Sequence, residues 1–373
     1  MKLRSCADGE VVSSLAASSL KPLRRLCNVA TFLWSVAALS ACEHTAPFRP
    51  DEGGGAGPLI PGPIAQLTYS PGQDVIPAWL PDGSGFVFTA ERRDRADHDH
   101  CLAFMPDGGG TISRYVCNTS AADDTVNVFD EAAMLGDSIA YVRASTERFL
   151  QGVGPDRQAL VVAPIGDPNA ARVLQQIPFT TSWGTTYDAI SHVAWLGPGG
   201  GRLAFIGERV SYPRPCPTCN LDTVRVGLEL VLADIAGATP VLTRMPGGDS
   251  ASSLAAAANG DTIYFTKNGD THVFRHALST AQTDTLLDFV AGVVRDVTLS
   301  SGRLAAVVGG AVGSTTSPDR GGALFLVAVG VQSQIGDPAV LYRRPTLSPS
   351  GDRLLVSGWS GVPNADLWLF QLP

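Results

Sequence analysis

One short pattern recurs along this chain: an apolar strand, a tight turn of Asp, Asn, Ser and Gly, and a second apolar strand. Its clearest copy is Pro77-Ala-Trp-Leu-Pro81-Asp82-Gly83-Ser84-Gly-Phe-Val-Phe-Thr89. His192-Val-Ala-Trp195 through Phe205 and Arg344-Pro-Thr-Leu-Ser-Pro349 through Val356 repeat it closely. Weaker copies lie at Ala132–Tyr141, Ala258–Phe265 and Val297–Ala306. Gly and Asn supply the positive φ that such hairpin turns require. A third apolar run follows each copy, from Leu102-Ala-Phe-Met105 to Asp366-Leu-Trp-Leu-Phe370, and a fourth follows most of them, faintest around Val331–Ile335. A four-stranded unit cannot bury both its faces alone, so units repeating every fifty residues or so must pack on one another.

Six such units predict an all-β chain folded as a six-bladed β-propeller of four-stranded antiparallel blades. The two ends of the repeat region are complementary. The chain stops after a third strand, while Ile64-Ala-Gln-Leu-Thr68 reads as a fourth strand with nothing before it. Pairing them closes the last blade with the N-terminal strand and removes both free edges. The motif Trp-x-Pro-Asp-Gly-Ser followed by an apolar strand resembles the WD40-like Pro-Asp repeat (PD40) of the TolB family. The full form stands only at 81–84, with Pro-Ser-Gly-Asp at 349–352, and the other copies have drifted. The resemblance spans about residues 64–373. It implies a TolB-like fold and an extracytoplasmic compartment. It does not imply the Tol role, because the TolB protein carries an extra α/β domain for which residues before 64 leave no room.

The N-terminus reads as an address. Lys21-Pro-Leu-Arg24-Arg25 precedes the apolar run Val29–Ala41, which is too short to span a bilayer. Leu39-Ser40-Ala41-Cys42 resembles the bacterial lipobox. The small residues would let a peptidase bind the backbone closely, and the Cys42 thiol would carry the lipid. The expectation is a signal peptide over 1–41, a Gly- and Pro-rich tether over 42–63 with Cys42 as the lipidation site, and the propeller over 64–373. An ordinary secretory signal with an incidental Cys is the alternative. Glu43 after the cysteine, in place of the Asp that retains lipoproteins at the inner membrane, favours the outer membrane.

Past Cys42, four cysteines remain, Cys101, Cys117, Cys216 and Cys219, which suits disulfides in an oxidising compartment. Cys101 and Cys117 lie equally far from Gly109 in the turn Pro106-Asp-Gly-Gly-Gly110, so a hairpin there sets them opposite each other. Cys216-Pro-Thr-Cys219 is read as a loop staple, since no second Cys or His pair lies near it to complete a metal site.

Longer segments would join second to third strands and blade to blade, all on one end of the propeller. They include 91–100, 119–130, 143–158, 180–191, 208–227, 309–322 and 358–365. Loops on a rigid scaffold concentrate function. The candidate binding face is therefore Arg92, Arg93, His98, His100, Trp183, Tyr187, Arg209, Tyr212 and Trp359, a mix of aromatics and arginines suited to protein hot spots or sugars. No catalytic residue, metal ligand set or cofactor is assigned. Asp97-His98-Asp99-His100 reads as a solvated loop, and Gly358-Trp-Ser360-Gly-Val362 lacks the last glycine of a nucleophile elbow. His192 is placed in the core or channel wall. The innermost strands, reading Ala-Trp-Leu, Ala-Ala-Met or Val-Ala-Trp, are expected to be nearly empty of polar groups.

The formal charge is −8, and excluding the first 41 residues takes it to −11, which excludes a broad nucleic-acid-binding face. The composition, 45% hydrophobic and 17% charged, excludes disorder. The functional expectation is a lipid-anchored lipoprotein, periplasmic or at the cell surface, whose propeller binds envelope protein partners. The alternative is an extracytoplasmic carbohydrate-active enzyme of lyase or dehydrogenase type.

Overall fold

The computed structural model describes residues 63–68, 72–91, 100–110, 112–116, 125–147, 157–168, 170–211, 224–309, 321–328, 330–360 and 365–373. Cys42, Cys117, Cys216 and Cys219 lie outside the described residues, as do Arg92, Arg93, His98 and Tyr212.

Among those residues, 25 strands form six antiparallel sheets. Strand β1 (Pro63–Gln66) comes first. The first blade is β2 (Asp74–Trp79), β3 (Gly85–Glu91), β4 (His100–Pro106) and β5 (Ser113–Val116). The second is β6 (Thr125–Leu135), β7 (Ser138–Glu147), β8 (Arg157–Pro164) and β9 (Arg172–Ile177). The third adds the short β10 (Phe179–Thr180) to β11 (Thr186–Trp195), β12 (Arg202–Ser211), β13 (Val224–Asp234) and β14 (Val241–Asp249). The fourth is β15 (Ala251–Ala256), β16 (Thr262–Lys267), β17 (His272–Ala277) and β18 (Gln282–Asp288). The fifth is β19 (Val294–Ser300), β20 (Arg303–Val308), β21 (Ala323–Ala328) and β22 (Val331–Ile335). The sixth comprises β23 (Leu341–Leu347), β24 (Arg353–Trp359) and β25 (Asp366–Gln371), with β1 as its outer strand. The first strands of the blades touch in order, β2 to β6, β11, β15, β19, β23 and back to β2, so the blades form a ring. This is a six-bladed β-propeller.

The radial position of each strand explains its sequence. Second strands are sandwiched between neighbouring blades and bury both faces: Phe86, Val87 and Phe88 in β3 are all fully buried, as are Leu354, Leu355 and Val356 in β24. They read as unbroken apolar runs for that reason. Fourth strands lie at the rim, and β18 and β22 leave most of their residues exposed. A rim strand has little apolar signature, which is why the one at Val331–Ile335 is faint in the sequence.

Ring closure follows the expectation. β1 pairs with β25 through Ala65↔Leu369 and Gln66↔Trp368. The seam continues through Leu67 N–H to Leu367 O at 2.7 Å and Leu367 N–H to Thr68 Oγ1 at 2.9 Å. With its last strand taken from the other end of the chain, the sixth blade has no free edge at the seam.

Arginines at the start of second strands brace the neighbouring hairpin turn. Arg202 donates to Gly260 O (3.0 Å), Arg303 to Gly351 O (2.9 Å) and Arg353 to Gly83 O (3.4 Å). Gly260, at φ +68°, lies so near the previous blade's turn that a Cβ there would sit 2.5 Å from Gly197 Cα. The repeated tryptophans do related work. Trp79 Nε1 donates to Thr346 O and Trp195 Nε1 to Ala133 O, each tying a first strand to that of the preceding blade at 3.1 Å.

Two segments expected as inter-blade loops are strand in their second halves. The interval 119–130 yields to β6 from Thr125, and 180–191 yields to β11 from Thr186. The long insertions are correspondingly shorter, because β12 runs on to Ser211 and β13 starts at Val224.

Candidate functional site

The first strand of every blade carries a register shift along its pairing with the second. In four blades the bulge places a non-glycine residue in the left-handed region: Ile76 (φ 55°), Glu131 (φ 54°), His192 (φ 52°) and Arg344 (φ 53°). Each such residue costs on the order of 1–3 kcal/mol and persists only where its surroundings fix it. A bulge re-aims side chains, and here Glu131, His192 and Arg344 meet at the ring axis.

There they form a charged network across blades two, three, five and six. Arg344 donates Nη1 and Nη2 to the two oxygens of Glu131, at 3.0 and 2.6 Å. The backbone N–H of His192 donates to Glu131 Oε2 at 2.7 Å. Asp296 Oδ2 accepts from Arg343 Nε at 2.6 Å and from the backbone N–H of Arg344 at 3.1 Å, while its Oδ1 lies 3.5 Å from His192 Nε2. Asp130, beside Glu131, accepts from Thr89 Oγ1 at 2.7 Å. The expectation that the innermost strands are nearly empty of polar groups is therefore corrected. Their polar residues sit at the bulges, just ahead of the apolar triplets.

Burial and charge act on the network in opposite directions. Burial pushes the Asp296 and Glu131 carboxyls up, but Arg343 beside the first and Arg344 beside the second hold both below the usual carboxylate range. Asp130 has no dominant cation, and burial followed by the charge of Glu131 raises it. Burial, then Arg344, lowers His192, which favours its neutral imidazole.

The network forms one end of an axial cavity of about 790 Å³, lined by the first strands of all six blades. Its walls are mostly aliphatic, including Ala132, Met134, Leu254, Val297, Leu299 and Leu347. At the network end, Glu131 is 7% and Asp296 1% exposed, whereas Pro81, Pro198, Asn259, Ser301 and Pro349 at the hairpin turns are exposed. The cavity thus opens on the tight-turn end of the ring, opposite the long-loop face expected to bind.

Of the sequence-derived face, the structure gathers only part. Tyr187 is fully buried in β11, which corrects its placement on an exposed loop. Its hydroxyl donates to the buried carboxylate of Glu229, and Arg244 pairs with the same carboxylate. Burial, then this bond, pushes the Tyr187 hydroxyl pKa up. Trp183 and Arg209 are half-buried, Trp183 packing against the core cluster that includes Tyr187, and Arg209 lying opposite Tyr187 in the β11–β12 register. Trp359 ends β24 and His100 begins β4. Cys101 is buried in β4, and its sulfur is not a free thiol. His192 does line the channel, as expected. Sequence reading missed Glu131, Asp296, Arg343 and Arg344; Glu131, Asp296 and Arg344 share one signal, a polar residue inside the first strand directly ahead of its inner segment.

No family model and no curated protein matches the chain. Among solved structures it is similar to a gluconolactonase from Xanthomonas campestris, at 13% identity and a TM-score of 0.51, covering 86% of this chain and 99% of that one. It is also similar to TolB from Acinetobacter baumannii (16%, TM-score 0.47, 84% and 65%) and to a puromycin-hydrolysing peptidase from Mycobacterium tuberculosis (16%, TM-score 0.48, 81% and 44%). The likeness to the gluconolactonase is one of fold, and a fold shared at this distance carries no activity with it.

Proposed function

We propose that this protein is a binding module of the bacterial cell envelope. In this reading the chain is cleaved before Cys42, acylated there, and held at the outer membrane by its lipid, with residues 42–63 as tether. The propeller engages an envelope protein through the long-loop end, where Arg209, Trp359 and their loop neighbours are presented. The observation that carries a binding role over a catalytic one is the pairing at the channel axis. Glu131 is held by Arg344 and Asp296 by Arg343, so each carboxylate is committed to an arginine, not poised as an acid or base. That pairing weighs against the carbohydrate-active enzyme.

Two experiments test the proposal. Cys42→Ser should move the protein from the detergent-extracted membrane fraction to the soluble fraction and abolish labelling by palmitate. Affinity capture from solubilised envelopes should recover a partner with the wild type and lose it when residues 212–223 are replaced by a short Gly-Ser linker. Capture that ignores this replacement would remove the long-loop face from the account.

A further inference from the structure

The seam that joins the two ends of the chain buries two neighbouring carboxylates. Asp74 opens β2 and Asp366 opens β25, and they are 2% and 6% exposed. Thr68, just past β1, is itself buried and lies against both. Its hydroxyl accepts from Leu367 N–H at 2.9 Å and has a single hydrogen to serve two carboxylates. Asp366 Oδ1 lies 3.3 Å from that hydroxyl, and Asp366 Oδ2 accepts from Gln66 Nε2 at 2.8 Å. Asp74 Oδ2 is fully buried and has no hydrogen-bond partner, and Asp74 makes no ion pair among the described residues. Folded proteins pair nearly all of their buried polar groups, and a buried charge without a partner is costly. The orphan oxygen therefore calls for a group that the chain itself does not supply.

We propose that Asp74 and Asp366 form a calcium site that ties the N-terminal strand to the end of the chain. Asp74 Oδ2, the Asp366 carboxylate and Thr68 Oγ1 are the hard oxygen donors that Ca²⁺ takes. The Thr68 carbonyl, 3.1 Å from Gln66 Nε2, brings a further oxygen to the same group of side chains. Turning the Gln66 amide over would present its oxygen in place of its NH₂. Ca²⁺ accepts about six to eight oxygens in flexible geometry, whereas Mg²⁺ demands a near-ideal octahedron and keeps several waters, which so buried a place does not admit. The donors come from the segment after β1, from β2 and from β25, so they meet only when the ring is closed. Without a cation, a proton is what neutralises the pair.

The test is thermal unfolding of the full chain, stripped of metal with EDTA, together with equilibrium dialysis against radioactive calcium at neutral pH. With a dissociation constant of about 10⁻⁴–10⁻³ M, the range of extracellular calcium modules, about 10 mM CaCl₂ should raise the unfolding midpoint by at least about 3 °C. MgCl₂ at the same ionic strength should give less than half that shift, and dialysis should find one tightly held Ca²⁺ per chain. Asp74→Asn, which keeps the shape and removes the charge, should lose the shift and the bound ion. Asp82→Asn, which neutralises an exposed turn carboxylate, should keep both. Should Asp74→Asn fail to fold, Asp366→Asn and the Ca²⁺–Mg²⁺ comparison on wild type decide. No shift with Ca²⁺, an equal shift with Mg²⁺, or a bound ion that survives Asp74→Asn would each overturn the proposal. None of these outcomes bears on capture through the long-loop face.

Discussion

Arg344 in β23 grips the carboxylate of Glu131 in β6 across the axis of the ring, 213 residues away in the chain, with one hydrogen bond to each oxygen. The contact joins the sixth blade to the second without passing through the first. It exists only when the ring is closed, so it reports on closure as directly as the β1–β25 seam does.

The seam itself gives the first prediction. Deleting residues 64–69 strips the outer strand from β25 and exposes its edge. Thermal unfolding followed by circular dichroism should remain cooperative and shift down by several degrees or more, at ~2–4 °C per kcal/mol lost in a large domain. A truncated chain that melts with the full one would show that β1 does not close the blade.

Asp74 gives the seam a pH dependence. Its carboxyl is 2% exposed, donates or accepts with Thr68, and faces Asp366; burial first, then the Asp366 charge, raises its pKa to about 7 from 3.8. Its proton is therefore bound more tightly in the folded chain than in the unfolded one. The contribution is full below the unfolded value of 3.8 and is lost as pH rises toward about 7. Linkage over that window is on the order of 4 kcal/mol. Urea denaturation of wild type and Asp74→Asn between pH 4 and 8 should show the wild type losing stability relative to the variant as pH rises. Parallel profiles would contradict the assignment.

Arg353 links three elements. It pairs with Asp107 at 2.9 Å, reaches Gly83 O and stacks over Trp79. Arg353→Ala should cost about 1–2 kcal/mol in denaturant titrations. Arg353→Lys should recover only part, because a point charge on a flexible stem cannot serve both the carboxylate and the ring.

The oxidised state of Cys101 is open to mass spectrometry. Cys117 lies outside the described residues, and its pairing with Cys101 is the expectation from their equal spacing about Gly109 in the sequence. Non-reducing peptide mapping should recover a Cys101–Cys117 link, and Cys101→Ser should lower stability by about 3 kcal/mol, the scale for a loop of this length. Recovery of Cys101 linked to Cys216 or Cys219 would contradict the pairing.

The scaffold was legible in the sequence because each of its devices has a residue signature. Hairpin turns need Gly83, Gly260 or Gly351 at positive φ, second strands need apolar residues on both faces, and the unmatched strand at 64–68 had one place to pair. The axial network was not legible for a physical reason. Three of its residues, Glu131, His192 and Arg344, take the left-handed conformation without being Gly or Asn, and Ile76 shares it with no chemical hint at all. Only the closed ring brings Glu131, His192, Asp296 and Arg344 together, since each lies in a different blade. Tyr187 was misread from the same cause. Its segment lacks the apolar run of a strand, yet it extends β11 and buries the ring against Phe179.

The most direct test of the closed, axially braced ring is a double-mutant cycle on Glu131→Gln and Arg344→Met, read by urea denaturation. Each single change leaves a charge buried without its partner and should cost about 3–5 kcal/mol. The double variant should cost at least ~1 kcal/mol less than the two single costs combined. Additivity within ~0.5 kcal/mol would mean that the two side chains do not meet, and the axial site built on them would not exist.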